Sequence, residues 1–111
     1  MKTKISILFY ASASNQLKSG LVPIYLRITV NGKRIEISTN KFIEESKWNK
    51  AASKLKDYSE EARTINSYLD ILKNKVYETE KDMVNNNEVI NANNFRNKFI
   101  GIEKQQLSAE S

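Results

Sequence analysis

The sequence predicts an α+β fold: a three-stranded antiparallel meander, one long C-terminal helix packed on one of its faces, and a short terminal helix. Three observations carry this prediction. Alternating apolar and polar residues flank Asn31-Gly32, a dipeptide suited to the two positive φ angles of a tight hairpin turn. Between Ala62 and Met83, apolar residues recur at three- and four-residue steps, as along one face of a helix. That stripe needs a partner, and the large unclaimed apolar surface in the chain is the sheet face of Ile5, Ile7, Phe9, Ile24, Leu26, Ile28, Ile35 and Ile37.

The elements follow in order. Thr3 to Tyr10 alternates, with Ile5, Ile7 and Phe9 on one side and Lys4, Ser6, Leu8 and Tyr10 on the other. Ala11 to Gly20 is small and polar and reads as an exposed loop. Pro23 stands near the start of the second strand, where a missing N–H is tolerated. A type I′ turn at Asn31-Gly32 pairs Val30 with Lys33, Ile28 with Ile35, Leu26 with Ile37 and Ile24 with Thr39 on the apolar face. The same register pairs Tyr25 with Ser38, Arg27 with Glu36 and Thr29 with Arg34 on the polar face. A one-residue slip would mix the two sets, so turn chemistry and hydrophobic pattern select one register independently.

Asn40 to Asp57 reads as an ordered connection, with Trp48 covering the edge of the core. Ser59 followed by Glu60 and Glu61 supplies an N-cap and acidic residues at the positive end of a helix dipole. From there Ala62, Ile65, Leu69, Leu72, Val76 and Met83 form the stripe, through about Val84. Asn85 to Asn87 ends the helix, and Asn91 caps a short one carrying Phe95 and Phe99 before Gly101. The expected division is 1–84 for strands and long helix, 85–101 for the short capping helix, and 102–111 for a linker toward a further domain.

Composition excludes much chemistry. There is no cysteine, hence no disulfide framework and no thiolate metal site, which suits a reducing cytoplasm. There is no histidine, hence no Ser-His or Cys-His nucleophile. No opposed carboxylate pair and no phosphate-cradling glycine loop is present, and no cofactor is implied. The N-terminal apolar stretch is interrupted by Ser6 and alternates as a strand does, far short of the roughly 20 apolar residues of a membrane span. Charge is unevenly placed: residues 1–56 hold eleven Lys and Arg against three Glu, whereas residues 57–111 hold seven against ten Asp and Glu. The β-rich half is basic, as a surface facing a polyanion would be.

With the helix on the apolar face, the polar face displays Tyr25, Arg27, Thr29, Arg34, Glu36 and Ser38, joined by Lys4, Ser6 and Tyr10, with Lys2, Lys18, Lys33 and Lys41 at its rim. Arg suits guanine O6 and N7, Thr a thymine methyl, Tyr and Ser phosphates, and each rim lysine would release counterions from a phosphate. An ordinary solvated sheet face has a similar composition, with Arg27 and Glu36 as a cross-strand pair, and pattern alone leaves both readings open. Two further readings stay open: a protein-interaction or oligomerisation module using the 59–84 helix, and shape recognition of double-stranded RNA.

The hairpin Pro23 to Arg34 (PIYLRITVNGKR), the Trp48-Asn49 pair, the helix beginning at Ser59 and the VINANNFRNKFIG segment together resemble the N-terminal arm-type DNA-binding domain of tyrosine recombinases, of the Bacteroides conjugative-element and phage type. The resemblance spans roughly residues 2 to 101 and includes no catalytic motif. It implies that the sheet enters the major groove of arm-type double-stranded DNA sites at mobile-element ends, with other recombinase protomers or accessory proteins as further partners. It also implies that strand cleavage belongs to a separate catalytic domain, in keeping with the lack of histidine here. The candidate DNA contacts are Lys4, Tyr10, Lys18, Tyr25, Arg27, Thr29, Lys33, Arg34, Ser38 and Lys41.

Overall fold

In the computed structural model, Asn31 and Gly32 adopt φ of 50° and 86°, the two positive values that close a type I′ hairpin. The structure describes residues 4–56 and 58–109, and the side chains of 102–109 lie outside that description. Within it run β1 (Ile5–Ala11), β2 (Val22–Val30), β3 (Lys33–Ile43), β4 (Trp48–Asn49), β5 (Lys54–Leu55), α1 (Glu60–Asn85) and α2 (Ala92–Ala109). β2 lies between β1 and β3 and is antiparallel to both, so the predicted meander is formed.

The register follows from the turn. Val30 faces Lys33, Ile28 faces Ile35, Arg27 faces Glu36 and Tyr25 faces Ser38, while Ile5, Ile7 and Phe9 of β1 face Val30, Ile28 and Leu26. Ile24, Leu26 and Ile28 are fully buried, and Ile5, Ile7 and Ile37 pack against the same core. The predicted Ile24–Thr39 ladder pair is the exception. The register shifts between Tyr25 and Pro23, beyond which Pro23 faces Phe42 and Val22 faces Ile43. β3 therefore bulges around Asn40, whose φ is 61°. The buried Thr39 hydroxyl donates to the Ile24 carbonyl at 2.7 Å and accepts from the Lys41 N–H at 3.2 Å, satisfying backbone groups that the broken ladder leaves unpaired.

The connection after β3 is more regular than its sequence suggests. β4 and β5 pair as a small hairpin with Trp48 directly opposite Leu55, and both side chains enter the core. Asn66 of α1 holds this hairpin by its backbone: its Oδ1 accepts from the Leu55 N–H at 3.0 Å and its Nδ2 donates to the Leu55 carbonyl at 3.5 Å.

α1 begins as predicted, with the Ser59 hydroxyl accepting from the Ala62 N–H at 3.2 Å. Every residue of the predicted stripe is buried. Thr79 fills the step between Val76 and Met83, its hydroxyl donating to the Lys75 carbonyl at 2.7 Å so that a polar side chain sits in the core without an orphaned group. Asn87, with φ of 54°, ends the helix. Asn91 then caps α2, accepting from the Asn94 N–H at 2.8 Å.

α2 is longer than the short helix expected before Gly101. It continues through Gly101 to Ala109, so the backbone is helical over most of the residues read as a linker. It also does more than cap the domain. α2 packs against β2, β3 and α1, and Phe95 and Phe99, with ring centroids 6.3 Å apart, are among the largest fully buried side chains. Lys98 fastens the two helices, its ammonium 2.8 Å from Asp82 at the end of α1 and also paired with Glu88.

Truncating Phe95 to Ala is therefore expected to cost about 3–5 kcal/mol in urea unfolding, a large share of the stability of a small domain. Ser59→Ala should cost about 1 kcal/mol by loss of the cap alone.

Candidate nucleic-acid interface

Strand alternation builds the face opposite the helices. Because β1, β2 and β3 are in register, their outward side chains form three rows: Tyr10, Tyr25 and Ser38; Leu8, Arg27 and Glu36; Ser6, Thr29 and Arg34. Tyr25, Arg27 and Thr29, on the central strand, are half-buried between their neighbours, whereas Ser6, Leu8, Arg34, Glu36 and Ser38 on the edge strands are exposed. Both helices pack on the other side of the sheet, and this face is left uncovered.

At its centre the side chains hold one another. The Tyr10 and Tyr25 rings stack with centroids 5.9 Å apart. The Arg27 guanidinium lies over the Tyr10 ring, 4.8 Å from the centroid. Its Nε and one terminal nitrogen meet the same Glu36 oxygen at 3.1 and 3.0 Å. Two of the five guanidinium donors are thus engaged by Glu36, and a further hydrogen bond to Tyr10 helps fix the plane of the group.

The electrostatics follow from this cluster. The Arg27 hydrogen bond first, and a hydrogen bond from Tyr10 second, hold the Glu36 carboxyl below its ordinary value of 4.5. Burial, then the bond to Glu36, raises the Tyr10 phenol above its ordinary 10.0, against the opposing pull of Arg27. At neutral pH the cluster is a neutral phenol, a carboxylate and a guanidinium.

The other predicted contacts divide by position. Lys4 begins β1 beside the β2–β3 turn, where its N–H donates to the Asn31 side chain at 2.9 Å and its carbonyl accepts from the Asn31 N–H at 2.9 Å. Lys4, Ser6, Thr29 and Gly32 line a depression at this end of the face. Lys33 is exposed at the same end but, opposite Val30, begins on the helix side of the strand. Lys18 is exposed in the loop between β1 and β2, at the far end of the sheet. Lys41 is not brought to the face. Beyond the bulge it lies against α1, its ammonium 4.9 Å from the centre of the Tyr68 ring. Lys2 lies outside the described residues. One candidate escaped the sequence reading: Leu8 sits directly opposite Arg27 and stands 42% exposed among polar neighbours. Its even position in β1 is the signal, since that parity places it on the outer face.

Among the described residues no group of His, Cys, Asp or Glu is placed to hold a metal ion, and no helix is long and apolar enough to cross a membrane. A basic sheet face backed by helices, with arginine, tyrosine, serine and threonine in rows, defines a protein of the nucleic-acid-binding class. A family model described as an arm DNA-binding domain matches residues 9–96, from β1 into α2, and the chain belongs to that family. It is a DNA-binding domain, and the domain type is not catalytic. No curated protein and no solved structure matches the chain.

The Glu36 shift has a measurable sign. A depressed carboxyl stabilises the fold above its ordinary 4.5, and that contribution is lost as pH falls through the lower folded-state value. In a carboxyl NMR titration, Glu36 should titrate below the ordinary range in the native chain and move upward in Arg27→Ala.

Proposed function

We propose that the outer face of β1, β2 and β3 reads double-stranded DNA in the major groove, at arm-type sites flanking the ends of a mobile element. The observation that carries this reading is the central cluster. Arg27 is held flat and half-buried by Glu36 and Tyr10 with donors to spare, while Arg34, one row nearer the turn, is exposed beside Thr29. Arg27 and Arg34 suit guanine, Thr29 and Leu8 suit thymine methyls, Tyr25 and Ser38 suit flanking phosphates, and Tyr10, bonded to Glu36, holds Arg27 in place beside the DNA. Lys4 and Lys33 at the turn and Lys18 at the far end take the phosphates that border the groove. Lys41, facing α1, has at most a peripheral part in this arrangement.

The parent protein on this reading is a tyrosine recombinase of the Bacteroides conjugative-element or phage type, acting in the cytoplasm and associated with the nucleoid when bound. The domain anchors the enzyme on its element for integration and excision, alongside other protomers or accessory proteins. Residues 1–84 and the capping segment 85–101 make the anchor, and 102–111 lead toward a core-binding domain. Strand cleavage belongs to the catalytic part of that enzyme.

Fluorescence anisotropy on a duplex selected by the native chain from a randomised pool tests the assignment. Arg34→Ala should lower affinity roughly tenfold to a hundredfold and relax preference at one position. Arg27→Ala should do the same with an unchanged circular dichroism spectrum. Unaltered affinity in both variants would refute the role of this face.

A further inference from the structure

The β4–β5 hairpin sets like charges against one another across its ladder. Trp48 and Leu55 take its buried side, so its outer side carries the residues next to them in register. The Lys56 N–H donates to the Lys47 carbonyl at 2.8 Å, which places Lys47 and Lys56 across from each other, with Lys54 one step along opposite Asn49. Lys50 follows in the turn. Residues 46–56 contain these four lysines and no carboxylate, and among the described residues the ion pairs involve Arg27 and Lys98 but none of the four. Like charges directly across a ladder are destabilising, and a solvated hairpin gains nothing from concentrating them.

The placement of the hairpin suggests what the charge is for. Ala52, Ser53 and Lys54 at its tip line one cleft with Ile7, Leu8 and Phe9 of β1. The tip of the hairpin thus stands beside the β1 edge of the sheet, with Asp70 and Lys73 of α1 in the same cleft, while Lys47 at its base lies by the end of β3 with Phe42, Glu44 and Glu61. We infer that the β4–β5 hairpin is a second DNA contact, a sequence-independent phosphate clamp that grips the duplex backbone along the β1 edge. This rests on the proposed reading of the sheet face. Lysine suits the task because it meets phosphate as a point charge with no demand for a particular base.

The test compares the native 111-residue chain with Lys54→Ala/Lys56→Ala, by titrating salt against both the selected duplex and an unrelated duplex of equal length. The log–log salt slope of the variant should be shallower by about 2, one per lysine, with affinity falling by a similar factor on both duplexes. Thermal unfolding in low salt should show no loss of stability, since a like-charge repulsion has been removed. An unchanged slope would overturn the clamp while leaving the sheet-face reading intact. Weakening confined to the selected duplex would overturn its sequence independence. If the native chain binds neither duplex, the sheet-face reading fails and the clamp with it.

Discussion

The turn at Asn31-Gly32 is the constraint on which the remaining structure depends. Its two positive φ angles allow one closure of the hairpin, and that closure fixes which residue of β2 faces which residue of β3. Asn31 then extends the constraint to β1, exchanging hydrogen bonds with the Lys4 backbone through both its side chain and its N–H. One dipeptide therefore sets the register of all three strands. Side chains alternate with a period of two, so register decides the face on which every one of them appears. The apolar set goes to the helices and the polar set to the outside by the same choice.

Once the faces are assigned, the helices have little freedom. The α1 stripe alone does not cover the sheet, and α2 completes the layer with Phe95 and Phe99. The small β4–β5 hairpin closes the side of this core with Trp48 and Leu55, tied to α1 by a single asparagine that mimics a neighbouring strand. The outer face is consequently carried on a sheet that is packed from behind along its length. A rigid support of this kind is what a recognition surface requires, because contacts held in place before binding lose little freedom when the ligand arrives.

The parts legible in the sequence were those specified by neighbouring residues. The turn, the Ser59 and Asn91 caps, the α1 stripe and the Arg27–Glu36 pairing each depend on a short stretch or on one register. The bulge in β3 was not legible, because two added residues leave the in–out alternation unchanged. Its trace is Asn40, an ordinary residue to find near a strand end, whereas the odd position of Lys41, shared with Ile35, Ile37 and Thr39, already sets it on the helix side. The length of α2 was hidden for a different reason. Past Gly101 the composition is polar and resembles a linker, yet polar residues with good helix propensity continue a helix already started. The stacking of Arg27 on Tyr10 depends on side-chain rotamers, which no pattern of residue types specifies.

The central carboxylate gives the proposed DNA-reading face its logic. Glu36 sits where a purely electrostatic binder would have no acid, and it is held ionised. It neutralises Arg27 at long range, so the middle of the face has little net attraction for phosphate, while Lys4, Lys33 and Arg34 at the turn end keep theirs. On that proposal, a duplex lying on the sheet would be drawn in by its backbone at the margin and would meet, at the centre, directional donors and acceptors. Those groups favour base edges, where guanine acceptors match the spare guanidinium donors and a cytosine amino group matches the carboxylate. On the proposed reading, the ion pair that looks like a loss of binding energy separates two tasks on one small surface: attraction at the rim and discrimination in the middle.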